Sequence, residues 1–79
     1  MSPTVFRVKN FRFFFFSKEE ARVHIHVSCP DGEAKFWLEP IVSLSQNHGL
    51  TARTLKELQG IIEERKGEII RYWKKHFGR

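Results

Sequence analysis

Intrachain disulfide bonds are excluded, because the sequence contains a single cysteine, Cys29. With 79 residues, the chain is long enough for one hydrophobic core and too short for two, so we predict a single domain over residues 1–79. A small domain that folds without disulfides is typical of a reducing compartment. We therefore expect a cytoplasmic protein in which Cys29 is a buried strand residue, the usual situation of a free cysteine.

Long apolar runs and common catalytic motifs are also missing. A membrane-spanning helix needs roughly 20 apolar residues, whereas the phenylalanine run Phe13–Phe16 is four residues long. The N-terminal residues lack the basic region and apolar stretch of a secretory signal. The sequence contains no glycine-rich phosphate loop and no convincing Ser-His-Asp or Cys-His arrangement. We therefore expect no membrane partner and no cofactor.

Acidic residues are outnumbered by basic ones. Nine Asp and Glu stand against 14 Lys and Arg, which gives a net charge of +5. An excess of this size favours a polyanionic partner, such as nucleic acid, an acidic protein or a membrane surface. Charge alone does not choose among these partners.

The first forty residues are predicted to form β-strands, since most of them alternate between apolar and polar side chains with a period of two. The segment Phe11–Phe16 instead has aromatic side chains on both faces, which is typical of a strand covered on both sides. We predict strands over residues 4–9, 11–16, 23–27 and 34–38. In the first strand, this period places Thr4 on the same face as Phe6. Asn10 and the segment Pro30-Asp31-Gly32 are predicted turns, because these residue types favour turn conformations.

From Thr51, a plausible N-cap, the hydrophobic period becomes helical. Six apolar residues fall within an arc of about 100° on a helical wheel: Leu55, Leu58, Ile62, Ile69, Trp73 and Phe77. Lys66 lies inside this stripe, so it must extend its ammonium to solvent or mark a bend. Residues 41–48 are predicted as a short helical turn ending before Gly49. The predicted fold class is α+β: an antiparallel sheet of about four strands, from residues 4–39, packed by a long C-terminal amphipathic helix.

The two strands that flank Pro30-Asp31-Gly32 should pair as a hairpin with one apolar face. If they do, period-two geometry collects the titratable and aromatic side chains on the opposite face: Arg22, His24, His26, Lys35, Trp37 and Glu39. A shift of the pairing by one residue would disperse them.

This group of side chains is compatible with acid–base chemistry or with metal binding. In a metal-independent RNase, His24 or His26 would be the base, Glu39 the second acid–base group, and Arg22 and Lys35 the cations that hold phosphate. Alternatively, the two histidines could bind a metal with Glu39 as a third ligand, although two histidines at this spacing are a weak signal.

Binding without chemistry is the third hypothesis. Trp37 could stack on a base while basic side chains contact phosphate, or the same face could bind a protein. Arg7 and Arg12, on the first two strands, are added to the candidate nucleic-acid or partner-binding residues. An ordinary solvated sheet face would show much of the same alternation.

Five segments carry a resemblance to a known family. They are Pro3–Arg7, Arg12–Phe15, His24–Val27, Gly32–Pro40, and the end of the chain with Trp73 and His76–Gly78. These segments resemble the bacterial family DUF4160, a domain of unknown function. Many members have two prolines where this chain has Ala21 and Arg22, so a second branch of the family is the better comparison.

The resemblance implies a genomic context and no established activity. Members of this family are typically encoded beside another very small protein, in a layout that resembles a toxin–antitoxin pair. By this resemblance we expect a component of such a module, with the toxin side favoured, that acts on RNA or on its cognate partner. The alternative is a non-catalytic, antitoxin-like subunit that works by protein contact, with a homodimer through its phenylalanine-rich surface also open.

Overall fold

The computed structural model describes residues 4–16 and 21–78, so Pro3 lies outside the described residues. Over these residues the chain forms five strands and two helices. They are β1 (Thr4–Val8), β2 (Phe11–Phe14), β3 (His24–Cys29), β4 (Gly32–Trp37), β5 (Ser43–His48), α1 (Ala52–Glu64) and α2 (Lys66–Phe77). The strands form one antiparallel sheet in the order β1-β2-β3-β4-β5. The α+β class is therefore confirmed, with one more strand and one more helix than predicted.

The β1–β2 hairpin confirms the turn predicted at Asn10. Val8 pairs with Phe11, so the turn consists of Lys9 and Asn10, and Lys9 has a left-handed backbone with φ 55°. The register shifts between Thr4 and Phe6, which is typical of a β-bulge. Because of this shift Thr4 shares a face with Phe14, and the prediction that Thr4 shares a face with Phe6 is wrong.

Residues 43–48 form strand β5, so the helical turn predicted around 41–48 is wrong. These residues pair with β4, from Trp37 opposite Ser43 to Glu33 opposite His48. Ser, Asn and His are weak helix formers, and the hydrogen bonds offered by the edge of β4 outweigh the helical preference of the remaining residues. The sheet therefore extends one strand beyond Pro40, where the sequence predicted its end.

The predicted long C-terminal helix is interrupted at Arg65, which has φ −107° and ψ 17°. The interruption lies beside Lys66, the residue whose place in the apolar stripe predicted either an extended side chain or a bend. Thr51 is the N-cap of α1, because its Oγ1 accepts a hydrogen bond from the Thr54 backbone N–H at 3.2 Å. None of the described helices is long and apolar enough to cross a membrane.

The core lies between α1, α2 and one face of the sheet. Its residues come from β2, β3, β4 and both helices, and they include the fully buried Phe13, Ile25, Phe36, Leu58 and Ile69. Cys29 lies half-buried against this core. Burial of several aromatic rings provides a large apolar area for so short a chain. We call the opposite face of the sheet the outer face.

Candidate nucleic-acid interface

The β3–β4 hairpin has the register that the sequence predicted. His24 pairs with Trp37 and His26 with Lys35, whereas Ile25 pairs with Phe36 in the core. Directly paired residues of antiparallel strands point to the same face of a sheet. The outer face therefore receives His26, Lys35 and Trp37 together.

Two rows of side chains cross the outer face from β1 to β5. Each row consists of residues that are directly paired on neighbouring strands: Arg7, Arg12, Ser28, Glu33 and His48 in the first, and Thr4, Phe14, His26, Lys35 and Gln46 in the second. Arg7 and Arg12, predicted from separate strands, are thus direct neighbours.

Gln46 and His48 were missed, because their segment was predicted to be helical. The alternation of Val42 and Leu44 with Ser43 and Ser45 was the signal for a strand there.

Three cations of the outer face lie against aromatic rings. The Arg22 Cζ lies 4.2 Å and the Lys35 Nζ 4.4 Å from the centre of the Trp37 ring, and the Arg12 Cζ lies 4.5 Å from that of Phe14. Cation–π contacts of this kind contribute about 0.5–2 kcal/mol each, more as they are desolvated. They also restrict the rotamers of long side chains, so these cations are held in place before any ligand binds.

Hydrogen bonds position the two arginines further. The Arg22 Nε donates to the Glu39 backbone oxygen at 2.9 Å, and the Arg12 Nε donates to the Thr4 Oγ1 at 2.7 Å. Each guanidinium has five N–H donors in a planar fork. Such a fork matches the paired oxygens of a phosphate or carboxylate group.

His26 lies at the wall of a small depression in the outer face. Its ring stacks on Phe14, with centroids 5.5 Å apart, and contacts Phe16 edge-on at 4.3 Å. The depression has a volume of about 100 Å³, enough for a few waters or one small polar group. Its side-chain lining includes Phe14, Phe16, His26, Glu33, Lys35, Gln46 and His48.

His24 shares a face of the sheet with its pairing partner Trp37, but it is covered by other residues and has 0% of its surface exposed. Its Nδ1 lies 2.7 Å from the Arg22 backbone oxygen, and because a carbonyl only accepts, Nδ1 is the protonated nitrogen. Its ring centroid lies 5.1 Å from those of His26 and of Trp73 on α2. A substrate on the outer face would reach His26 before His24.

Glu39 is exposed and lies beyond the end of β4. Within the described residues, its carboxylate has no hydrogen bond or ion pair with either histidine, and only its backbone oxygen contacts the site, through Arg22. Among the same residues, no three His, Cys, Asp or Glu side chains converge in a way that could hold a metal ion. The arrangement therefore suits binding of an anion better than paired acid–base catalysis.

Comparison with known proteins places the chain in a family without an assigned activity. Residues 10–74 match the domain of unknown function DUF4160. No curated protein and no solved structure matches the chain. Since the match includes strands β2 to β5, helix α1 and most of α2, it confirms the resemblance found in the sequence, and the chain belongs to the DUF4160 family.

Proposed function

We propose that this protein binds RNA through the outer face of its sheet, as the toxin-side component of a toxin–antitoxin-like module. Its second component would be the cognate small protein encoded by a neighbouring gene. The observation that supports RNA binding best is that Arg12 and Arg22 each lie against an aromatic ring of the outer face. Lys35 also lies against Trp37, but it is only 8% exposed.

The charge of the outer face supports a polyanionic ligand. Arg7 joins Arg12 on the first two strands, while Glu33 is the acidic residue in the two rows of paired side chains. Phosphate contacts by basic side chains supply most of the sequence-independent affinity for nucleic acid, and that affinity falls with salt. Aromatic rings among cations are typical of sheets that bind single strands, where the bases stack on them.

Binding without cleavage is favoured over an RNase mechanism. General acid–base catalysis needs both groups within hydrogen-bond reach of the reacting atoms. His24 is buried, and Glu39 has no contact with either histidine. His26, which lines the depression beside Lys35, is the histidine that an RNase mechanism would have to use.

A protein partner is the second candidate for the same face. Trp, Phe and Arg are enriched at the centre of protein interfaces, and here Trp37 lies between β3 and β5 with Arg22 on its ring. In this alternative the protein is a non-catalytic, antitoxin-like subunit, and the positive face binds an acidic surface of the cognate protein.

The test is fluorescence anisotropy with a labelled single-stranded RNA oligonucleotide. We compare the wild type with Arg12→Ala/Arg22→Ala and with Lys74→Ala/Lys75→Ala, a control that removes the same charge from exposed positions of α2. The outer-face variant should bind about tenfold more weakly or worse, which corresponds to 1.4 kcal/mol. Its plot of log affinity against log salt should lose roughly 1.4 units of slope, about 0.7 for each phosphate contact.

Three results would argue against this proposal. Equal losses of RNA affinity in the two double variants would mean that binding depends only on the net charge of the protein. Absence of RNA binding, together with capture of the purified cognate protein by the outer face, would support the second candidate. If induction of the protein in a bacterial host fragments RNA, and the His26→Ala variant does not, the protein cleaves RNA and does not merely bind it.

A further inference from the structure

A groove runs between strand β5 and helix α1, on the side of the molecule away from β1. Strand β5 forms one edge of the sheet. Leu44 of β5 is 42% exposed and lines this groove together with Leu55, Lys56, Gly60 and Glu63 of α1. We call it the edge groove.

The edge of the sheet at β5 lacks the charged residues and proline that commonly protect an edge strand against pairing. Natural edge strands commonly have charged residues or proline, whereas Ser43–His48 contains neither Lys, Arg, Asp, Glu nor Pro. The opposite edge, β1, has Arg7 and the bulge near Thr4. The register of the β4–β5 pairing shifts beside Leu44, so the regular part of β5 is short. A partner that binds at this edge must therefore make most of its contacts with α1.

The charges on α1 are arranged for self-association. Lys56, Gly60 and Glu63 follow one another at spacings of four and three, so they share one face of the helix. Lys56 and Glu63 lie about 10.5 Å apart along the helix axis, at 1.5 Å per residue, and are too distant to pair with each other. The groove therefore has a cation towards one end, a carboxylate towards the other, and a glycine between them.

We propose that a second copy of this chain docks in the edge groove. A two-fold axis perpendicular to the sheet, near Gly60, would place the two α1 helices antiparallel. Lys56 of each copy then meets Glu63 of the other, which gives two ion pairs from one symmetric contact. The two copies of Leu44 and Leu55 bury the apolar floor of the groove.

Gly60 suits the position on the axis. A Cβ built there has no neighbouring atom within 4 Å, so the fold of one copy does not require glycine at this position. A glycine inside a helix costs about 1 kcal/mol relative to alanine. In the dimer the missing side chain lets the helices approach closely, as small residues do wherever helix backbones come into contact. The outer faces of both copies would point the same way and remain open.

The experiment is analytical ultracentrifugation of nuclease-treated protein over a range of concentrations. The wild type should reach twice the 9.4 kDa mass of one chain. Lys56→Glu and Glu63→Lys should each raise the dissociation constant by about tenfold or more, because each places like charges opposite one another twice. The double variant Lys56→Glu/Glu63→Lys should restore the dimer, whereas Lys74→Glu, on α2, should leave it unchanged.

Gly60→Lys separates association from folding. Lysine is a better helix former than glycine, so the monomer should unfold at a higher denaturant concentration. The two lysine side chains would meet at the two-fold axis, and their size and like charge should abolish the dimer. A wild type that stays monomeric at every concentration would overturn the proposal. So would a dimer that is unaffected by Gly60→Lys, or one that the double charge exchange fails to restore.

Discussion

Replacing Gly32 with alanine tests the close approach of the β3–β4 turn to the end of β5. Gly32 has φ +155°, and a Cβ at this position would lie 2.0 Å from the His48 backbone oxygen. Real Cβ contacts essentially never fall below 3.0 Å, so the turn or β5 must move by about 1 Å. Both sides of the contact are backbone, and neither can rotate away as a flexible side chain could.

The expected cost is about 3 kcal/mol, the upper part of the range for overpacked sites. A chain of this size has a free energy of unfolding of roughly 4–12 kcal/mol, at 0.05–0.15 kcal/mol per residue. The variant should therefore lose a quarter or more of the stability of the protein. With about 4–8 °C per kcal/mol for a domain of this length, the melting temperature should fall by roughly 12–24 °C.

Urea and thermal denaturation followed by far-ultraviolet circular dichroism measure this effect. The matched control is Gly67→Ala in α2, where a Cβ would lie 3.6 Å from the flexible Arg71 Nη1. The control should be as stable as the wild type or gain about 0.5 kcal/mol from helix propensity. If Gly32→Ala stays within about 0.5 kcal/mol of the wild type, the ordinary range for surface changes, the close approach described here is wrong.

Two further substitutions test the helices by the same denaturation assay. Thr51→Ala should cost about 1 kcal/mol because it removes the N-cap hydrogen bond of α1, and Thr51→Ser should retain most of that stability; equal losses would show that the cap is unimportant. Trp73→Ala should cost about 3–5 kcal/mol, because the ring is 2% exposed and packs on Phe15 and Phe77. Trp73→Phe should lose clearly less, and an alanine variant as stable as the phenylalanine one would contradict the packing described.

The β3–β4 hairpin was predictable because its signals are local. Val27 pairs with Ala34 and His26 with Lys35, as the period of two and the Pro30-Asp31-Gly32 turn together required. The Thr51 N-cap and the apolar stripe of α1 and α2 were readable for the same reason, since each depends on residues within one helix. The same predicted register placed Arg22 and Trp37 on one surface.

The placement of the remaining residues depended on contacts between distant parts of the chain. Residues 43–48 form a strand because the edge of β4 is available to them. The interior position of His24 depends partly on Trp73, which is 49 residues away along the sequence and belongs to α2. Glu39 lies apart from the histidines because β4 has already ended at Trp37.

The sequence by itself therefore determined the α+β class, the alternation of the β3–β4 hairpin, the apolar stripe of the helices and the positive charge. These properties depend on side-chain types at fixed short spacings, which backbone periodicity converts directly into faces. The tertiary structure decided which side chains of a face are open and which are covered, and which strands find a partner. Those outcomes depend on packing and hydrogen bonding between segments far apart in the chain, and no local period encodes them.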